Sequence, residues 1–390
     1  MSKLPGNAGA SLLGDKSLDF YRDPVIFCQQ LIEKYHSRVF LCRLLNRPTV
    51  FICSVEGMRE LLCGTFTVRC FSVDITAFRQ TAVFSFVEAC LLRLSLNSLF
   101  SGTSLKSSAD YISSGQPQCI YSVFKRLGTE LVLGLFLNVR VEEQPEVFQE
   151  IMQLCTEHWH GLISAPVKVK VPLWTSGFAK ALDARSKLME IIKDKLENDK
   201  QGFVGSLASL PFPNSGSAAQ HLLLFISALI PKALASLLTS FTLALGGPEI
   251  LLEVQRLWPP FIGGRRIAEK DSTLSDFCVP KDYGAVYISY FIHRDPEVFQ
   301  QPDSFLPERW SGRNAGQEHL LCSFGNGTRS CIGSNLTDIF LKEACRYLLK
   351  NYDWYLDPTS QDLDYKWLPV SRPTNLPSLS FTRLDQTISD

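Results

Sequence analysis

The feature that most constrains this chain is an apolar run in its middle. Residues 222–245, LLLFISALIPKALASLLTSFTLAL, hold one charged side chain, Lys232, beside Pro231. A run of this length can cross a bilayer, or it can form a long helix through the core of a large domain. A lone span would leave two soluble-looking halves of the chain on opposite sides of a membrane. We therefore favour the core helix.

Composition sets outer limits on the kind of protein. The 390 residues are 45% hydrophobic, which is enough to bury the core of one large domain. The 39 Lys and Arg residues equal the 39 Asp and Glu residues in number, so no net field draws in nucleic acid. The first twenty residues contain no long apolar run, so we expect no N-terminal membrane anchor.

The twelve cysteines are scattered along the chain. None of them form a CxxC pair, which argues against a zinc ribbon. The chain shows no secretory signal, so a disulfide framework is not expected either. We expect most of the cysteines to be reduced core residues that behave as small hydrophobic side chains.

Hydrophobic spacing predicts a mainly α-helical protein with a small β region. Two strands are expected over 37–55, in SRVFLCRLL and RPTVFICSV, on either side of an Asn-Arg-Pro turn. Residues 177–200 have the apolar spacing of an amphipathic helix, and so do the residues after 334. Short strands are expected around FCVPKDYGAVYISY, residues 277–290.

The stretch CSFGNGTRSCIGS, residues 322–334, carries the strongest chemical signal. Gly325 and Gly327 permit a tight turn, and Gly333 lets the chain approach a ligand closely. Cys331 lies just before a predicted helix, whose N-terminus favours a thiolate. A lone thiolate in a glycine-rich loop suits a metal that needs one protein ligand, above all haem iron.

The residues around Cys331 distinguish this interpretation from a simpler one. A buried cysteine beside an ordinary glycine turn would explain Cys331 taken alone. In the haem interpretation Arg329 points toward an anionic group such as a haem propionate. The positions that match the haem-binding signature of the cytochrome P450 superfamily are Phe324, Gly325, Gly327, Arg329, Cys331 and Gly333. The loop therefore resembles that of a haem-thiolate protein.

Other motifs strengthen the resemblance. Glu253 and Arg256, followed by LWPP, resemble the ExxR helix of the family, in which the two side chains form a buried pair. The stretch HRDPEVFQQPDSFLPERW follows and supplies Arg309, which is in the place of the arginine that locks this pair. Such a network is tolerated only when every member is hydrogen-bonded. The motifs occur in the family's order, with the cysteine loop last.

The resemblance implies haem b as the cofactor and further contacts to it. Arg266, in GGRRIAEKD, is expected to reach a haem propionate, as is Arg329. Arg93 is a weaker third candidate, because Ala89 stands where the family has an aromatic or His partner. The implied fold is that of cytochrome P450. Haem would be buried between the central helix and the cysteine loop, with Cys331 as the iron ligand.

The central helix departs from the family in its chemistry. Family members carry a small-residue kink there, followed by an acid and a threonine that deliver protons when the O–O bond of dioxygen is cleaved. Ser227 and Ala228 are the candidates for the small pair. Leu229, Ile230 and Pro231 then occupy the acid and alcohol positions. These side chains cannot relay protons, so no catalytic residue is assigned.

Two explanations account for this departure. Some branches of the family rearrange lipid peroxides without dioxygen or a reductase, and their central helices lack the acid-threonine pair. The alternative is an ordinary monooxygenase in which water serves as the relay. Thr239 and Ser240 lie too far along the helix to replace the pair directly.

The spacing of the motifs is a second departure. Only residues 246–252 separate the apolar run from Glu253, where the family has several tens of residues and one or two further helices. The resemblance thus predicts a single cytochrome P450 domain over residues 1–390, with helices missing between about 246 and 252. This shortening raises the alternative of a non-catalytic haem or lipid binder.

The function implied by the resemblance is monooxygenation of a lipophilic substrate with dioxygen and electrons from an NADPH-dependent flavoprotein reductase. SLDFYRDPVIF, RRIAEKD and TNLPSLSF resemble the retinoic-acid and sterol hydroxylase branch, which suggests a retinoid, sterol or fatty acid. The alternative is a lipid-hydroperoxide isomerase or lyase that needs neither oxygen nor reductase. The expected location is the cytoplasm, or peripheral contact with the endoplasmic reticulum membrane.

Overall fold

The computed structural model describes the chain in segments. The described residues are 4–11, 14–63, 68–69, 118–162, 169–171, 174–209, 215–227, 229–244, 250–311, 317–327, 330–331, 333–356 and 364–384. Two compact units divide the chain. The first contains Met1–Ala77, Leu237–Lys350 and Ser360–Leu376, and the second contains Phe78–Ser236, Asn351–Thr359 and Pro377–Asp390.

Helices dominate the described segments. In chain order they are α1 (Ser17–Arg22), α2 (Pro24–Tyr35), α3 (Val55–Cys63), α4 (Ile120–Leu137), α5 (Pro145–Leu162), α6 (Gly177–Asn198), α7 (Gly202–Ala208), α8 (Ser215–Ile226), α9 (Leu229–Ala244), α10 (Leu251–Leu257), α11 (Ser289–Ile292) and α12 (Ser334–Asn351). The helices predicted over 177–200 and after 334 are confirmed as α6 and α12.

The strands are short. They are β1 (Val39–Leu44), β2 (Arg47–Ile52), β3 (Val68–Arg69), β4 (Gln118–Cys119), β5 (Lys170–Val171), β6 (Trp174–Thr175), β7 (Gly263–Ala268), β8 (Ser272–Leu274), β9 (Phe277–Val279), β10 (Gly284–Ile288), β11 (Tyr352–Leu356), β12 (Tyr365–Lys366), β13 (Arg372–Pro373) and β14 (Ser378–Arg383). The prediction of a mainly α-helical protein with a small β region is confirmed.

The larger sheet lies in the first unit and has the strand order β1-β2-β10-β7-β3. Strands β1 and β2 are antiparallel and pair Val39 with Ile52 at one end and Leu44 with Arg47 at the other. The two predicted strands are confirmed, but the predicted Asn-Arg-Pro turn is wrong, because the turn lies at Leu45 and Asn46 and both Arg47 and Pro48 belong to β2. Strand β10 joins the two parts of the unit, because it runs parallel to β2 and antiparallel to β7. In the second unit β11, β14 and β4 form a sheet of their own.

Local sequence explains where α2 begins. Asp23 is its N-cap, and one carboxylate oxygen accepts hydrogen bonds from the backbone N–H groups of Val25 and Ile26, both at 2.9 Å. Pro24 occupies the first helical position, where its missing N–H costs nothing. The helix packs Phe27 against Phe51 of β2, with ring centroids 5.7 Å apart.

Two described helices lie in the apolar run of the centre. Helix α8 ends at Ile226, Ser227 of the expected small pair lies in a turn, and α9 begins at Leu229, while Ala228 lies outside the described residues. One stretch, Gly216–Ala244, is long and apolar enough to cross a bilayer by length and composition. Its most apolar window is 75% buried within the protein, which favours the core helix.

Candidate functional site

The cysteine loop is closed by backbone hydrogen bonds. The N–H of Cys331 donates to the carbonyl oxygen of Phe324 at 2.7 Å, which brings the two ends of the turn together. Within the turn, the N–H of Gly325 donates to the carbonyl of Cys322 at 2.9 Å. The N–H of Ser330 donates to the carbonyl of Gly327 at 3.2 Å. The backbone thus fixes the position of Cys331 relative to Phe324.

Two glycines are required for this turn. Gly325 and Gly327 have φ angles of 68° and 67°, in the left-handed region that other residues rarely adopt. A Cβ atom on Gly327 would also overlap the carbonyl oxygen of Leu62, at the end of α3. The sequence predicted unusual backbone angles at these glycines, and the structure confirms them.

The side chain of Cys331 is exposed, unlike those of most other described cysteines. The buried cysteines are Cys28, Cys42, Cys53, Cys155, Cys322 and Cys345. Burial raises the pKa of Cys155 and of Cys322 to about 12, so these thiols stay protonated. Cys63 and Cys278 are exposed but lie outside the glycine turn.

These residues fit a haem iron ligand. A thiolate is the form of cysteine that binds metal, and an exposed thiol can ionise where a buried one cannot. A Cβ atom on Gly333 would lie 3.9 Å from Sγ of Cys331, so the glycine leaves the space beside the sulfur open. Gly333 also accepts the hydrogen bond of Thr337 that begins the first turn of α12, at 2.9 Å.

Of the arginines predicted to reach the haem propionates, only Arg266 lies within the described residues. Arg329 and Arg93 lie outside the described residues. Arg266 lies on β7, where its Nη1 donates to the carbonyl of Arg265 at 3.0 Å. Its guanidinium carbon is 6.0 Å from the ring centroid of Tyr287. The propionate contacts therefore stay predictions.

The pair predicted from the ExxR motif is present and fully buried. Glu253 and Arg256 lie on α10 with no exposed side-chain surface, and their two side chains are joined by two hydrogen bonds of 2.9 and 2.8 Å. Arg309 joins them, because its Nε donates to Oε1 of Glu253 at 3.1 Å. The predicted contact between Arg309 and the pair is therefore observed.

Two donors of this network were not predicted from the sequence. Trp310 donates from its indole Nε1 to Oε2 of Glu253 at 2.9 Å, and the backbone N–H of Leu306 donates to Oε1 at 2.9 Å. The carboxylate therefore accepts five hydrogen bonds from four residues. Trp310 directly follows Arg309 in FLPERW, but the sequence gives no signal of where its ring points.

The charges in the network are balanced by hydrogen bonds rather than by solvent. Burial alone would raise the pKa of Glu253, but the hydrogen bonds from Arg256, Leu306 and Arg309 hold it below its ordinary value. Arg256 also donates to the carbonyls of His293 at 2.8 Å and Pro302 at 2.5 Å. A buried ion pair is tolerated when its remaining donors and acceptors are satisfied in this way.

The central helix carries no acidic residue at positions 227–232, where the resemblance places the acid of a proton relay. Ser227 and Lys232 are buried, and the ammonium of Lys232 lies 4.3 Å from the ring centroid of Trp159. Ala228 lies outside the described residues, and so does the side chain of Leu229. The catalytic role of this segment stays untested.

Further along α9 the hydroxyl groups are buried. Oγ of Ser240 lies 3.0 Å from the hydroxyl of Tyr365, and Thr242 donates to the carbonyl of Thr239 at 2.9 Å. Oγ1 of Thr239 has no hydrogen-bond partner among the described residues. The expectation that Thr239 and Ser240 do not replace the acid-threonine pair stays a prediction.

Comparison with known proteins supports the same assignment. Residues 248–381 match the family model described as Cytochrome P450. The beta-amyrin 11-oxidase of Glycyrrhiza uralensis is 22% identical over an alignment of 449 residues, which covers 95% of this chain and 89% of that relative. The alignment is longer than the chain itself, so the relative has stretches that this chain lacks.

Solved structures share the fold. A retinoic acid-bound cyanobacterial CYP120A1 superposes with a TM-score of 0.83 at 20% identity, covering 98% of this chain and 100% of that one. Cytochrome P450EX alpha with myristic acid superposes with a TM-score of 0.74 at 16% identity, covering 98% and 100%. The chain thus matches the cytochrome P450 family model over residues 248–381 and shares the fold of solved cytochrome P450 structures.

Proposed function

We propose that this chain is a haem-thiolate monooxygenase in which Cys331 holds the iron. The proposed substrate is a lipophilic molecule such as a retinoid, sterol or fatty acid. The observation that carries the proposal is the exposed thiol of Cys331 at the end of a turn closed by its own backbone bond to Phe324. In this family haem supplies the oxidising chemistry. A cysteine thiolate contributes electron density that favours cleavage of the O–O bond.

The remaining predicted site residues have binding roles in this proposal. Gly325, Gly327 and Gly333 let the backbone approach the cofactor closely, with the first two in the required left-handed conformation. Arg266 and Arg329 hold its propionates, because guanidinium groups bind carboxylates with two parallel hydrogen bonds. Arg93 is the third, weaker candidate.

The substrate class is proposed from the neighbours as well as the sequence. The two superposed structures contain retinoic acid and myristic acid, which are both lipids with a carboxylate. This agrees with the retinoid, sterol or fatty acid suggested by the sequence. An NADPH-dependent flavoprotein reductase is the proposed electron donor, and any membrane contact is proposed to be peripheral.

A specific observation favours a second candidate, a lipid-hydroperoxide isomerase or lyase. The buried cationic side chain after the helix interruption is Lys232, and no acid lies within the described residues of α9. A reaction that starts from a preformed O–O bond does not need the protons that such an acid delivers. Both candidates share haem and the Cys331 ligand.

We also propose that the chain is one cytochrome P450 domain shortened between about 246 and 252. Helix α9 ends at Ala244 and α10 begins at Leu251, so no described helix lies between them. The alignment to the beta-amyrin oxidase, which is longer than this chain, supports a deletion. Absence of both activities despite bound haem would favour the third candidate, a non-catalytic haem or lipid binder.

The test is substrate turnover by the haem-loaded chain with and without its co-reactants. A monooxygenase converts a retinoid or a fatty acid only when NADPH, a flavoprotein reductase and dioxygen are all present. A hydroperoxide isomerase or lyase converts a fatty-acid hydroperoxide with none of the three. Cys331→Ser is the control for both assays, and turnover that survives this change would contradict either proposal.

A further inference from the structure

His293 connects the buried ion pair to the cysteine loop. The side chain is fully buried, and each ring nitrogen has a defined partner. Nε2 lies 2.8 Å from the backbone nitrogen of Cys322, the first residue of the loop. Nδ1 lies 3.1 Å from the carbonyl oxygen of Arg256. One ring thus spans the distance between α10 and the beginning of the loop.

The partners of His293 determine which nitrogen carries the proton. The backbone N–H of Cys322 can only donate, so Nε2 must accept and has no proton. The carbonyl of Arg256 can only accept, so Nδ1 carries the proton and donates. Burial lowers the pKa of His293 to about 3, so the ring is neutral near neutral pH, as both bonds require.

Further bonds make this connection rigid at both ends. Nη1 of Arg256 donates to the carbonyl of His293 at 2.8 Å, so these two residues are bonded in both directions. On the loop side, Oγ of Ser323 donates to the carbonyl of Gln255 at 3.2 Å. The carbonyl of Cys322 accepts the N–H of Gly325, at the first left-handed residue of the turn. The bond from His293 therefore fixes the residue from which the turn begins.

We propose that His293 is a positioning residue for the haem ligand: its Nδ1–H form holds the N–H of Cys322 and thereby sets the orientation of the turn that ends at Cys331. The inference rests on the proposed function in one respect, which is that Cys331 is the iron ligand. His293 touches neither the thiol of Cys331 nor the reacting atoms, and acts through the backbone of the loop.

Two substitutions separate the two bonds of the ring. His293→Gln keeps an acceptor, Oε1, at about the reach of Nε2 and can still accept from Cys322. His293→Asn keeps a donor near the position of Nδ1, for the carbonyl of Arg256, but is too short to reach Cys322. Both variants are polar and smaller than histidine, so they share the cost of an imperfectly filled site.

The first readout is the reduced, carbon-monoxide-bound difference spectrum of the haem-loaded chain. We expect His293→Gln to keep the strongly red-shifted Soret band that a thiolate ligand produces. His293→Asn should lose most of that band and bind haem about 10-fold more weakly or worse, the effect typical of removing a group that orients a metal ligand. Circular dichroism would confirm that both variants are folded.

The second readout is hydrogen exchange at the amide of Cys322, which needs no catalytic turnover. Loss of one hydrogen bond should speed exchange about 10-fold in His293→Asn and leave His293→Gln near the parent rate. Cys322→Ala is the control for the thiol, whose sulfur lies 3.3 Å from Nε2 of His293. That variant keeps the backbone N–H and should keep both the slow exchange and the red-shifted band.

The outcomes distinguish failure of the proposed function from failure of the positioning role of His293. A parent chain that binds haem without the red-shifted band would overturn the proposed function and the positioning role together. A parent chain with the band, and with equal spectra and equal Cys322 exchange in the Gln and Asn variants, would overturn the positioning role alone. The expected difference between the two variants supports it.

Discussion

Glu253 and Cys331 are two ionisable groups of the same unit that the protein holds in opposite ways. Glu253 has no exposed side-chain surface and accepts five hydrogen bonds. Cys331 is exposed, and its place is set by a backbone bond to Phe324 and by glycines in the left-handed conformation. Side chains build the first region, whereas backbone conformation builds the second.

This difference predicts different roles for the two groups, with Glu253 stabilising the fold and Cys331 binding the iron. The donors to Glu253 come from α10 and from the segment around Leu306 to Trp310, so this carboxylate ties together distant parts of the chain. The position of Cys331 is set instead by the backbone of its own turn. Changes at Glu253 should therefore unfold the protein, and changes at Cys331 should remove the iron ligand from a folded protein.

The largest expected effect is from Glu253→Gln. The change removes the charge that compensates Arg256 and Arg309 while keeping the shape of the side chain, and breaking a buried pair in this way costs about 3–5 kcal/mol. Denaturant unfolding followed by circular dichroism measures the loss. Asp338→Asn is the matched control, because its pair with Lys342 at 2.7 Å is exposed and worth less than about 1 kcal/mol.

Equal losses in Glu253→Gln and Asp338→Asn would contradict the view that the buried network holds the fold. A large loss in the first and a small one in the second would sharpen the comparison, since both variants remove one carboxylate charge from an ion pair. The two sites differ mainly in burial.

A smaller effect is expected from Gly327→Ala in the cysteine loop. Alanine at a φ of 67° is strained, and its Cβ would overlap the carbonyl of Leu62, so we expect a loss of about 1–3 kcal/mol. Gly134→Ala is the control, because nothing lies within 4 Å of an added Cβ there. In the interior of α4 that change should stabilise the protein by about 0.5–1 kcal/mol.

Thermal unfolding of the two glycine variants provides the measurement. If Gly327→Ala were as stable as the parent, the left-handed conformation would not be needed and the loop would not be shaped by its backbone. Loss of the thiolate spectrum in a variant that is still folded would show that the turn matters more for chemistry than for stability.

The effect that is smallest near neutral pH, because it appears only on acidification, is expected from protonation of His293. Its pKa is about 3 in the folded protein and near 6.5 in the unfolded chain, so the unfolded chain binds the extra proton between these values. The contribution of neutral His293 to the free energy of unfolding is fully present above about pH 6.5. It is lost as the pH is lowered toward 3, by up to about 1.4 kcal/mol per pH unit. Arg256, Arg294 and Cys322 are the titratable groups around the ring.

His293→Gln isolates this contribution, because the other histidines are present in both proteins. Between about pH 6.5 and 4.5 the parent should lose stability more steeply than the variant, when unfolding is measured at several pH values. The carboxyl of Glu253 begins to titrate only lower, since its pKa is held below 4.5 and its contribution is lost as the pH falls through that folded value. Parallel curves would mean that His293 stays charged or accessible in the fold.

The sequence predicted those parts that depend on a repeated spacing or on a motif. Local spacing predicted the two strands β1 and β2 and the helix Gly177–Asn198, whereas the contact of Arg309 with Glu253 was implied by the resemblance to a family motif. The unpredicted parts depend on how a side chain is directed by the tertiary fold. Nothing in HRDP or FLPERW indicates that His293 reaches Cys322 or that Trp310 reaches Glu253.

The break in the central helix shows the same limit. The resemblance predicted a small-residue kink at Ser227 and Ala228, and α8 ends at Ile226, directly before Ser227. The sequence could not show that Lys232, a few residues later, is buried over the ring of Trp159, because that contact joins residues more than 70 positions apart. Burial of a charged side chain depends on which neighbours the fold brings to it.

The measurement that tests the central claim most directly is the reduced, carbon-monoxide-bound difference spectrum of the parent and of Cys331→Ala. The account predicts a strongly red-shifted Soret band in the parent and its complete loss in the variant. The free energy of unfolding of the variant should lie within about 0.5 kcal/mol of that of the parent, because the side chain of Cys331 is exposed. Two results would contradict the assignment of this thiolate as the iron ligand. One is a red-shifted band that persists in Cys331→Ala, and the other is a parent that binds haem but shows no red-shifted band.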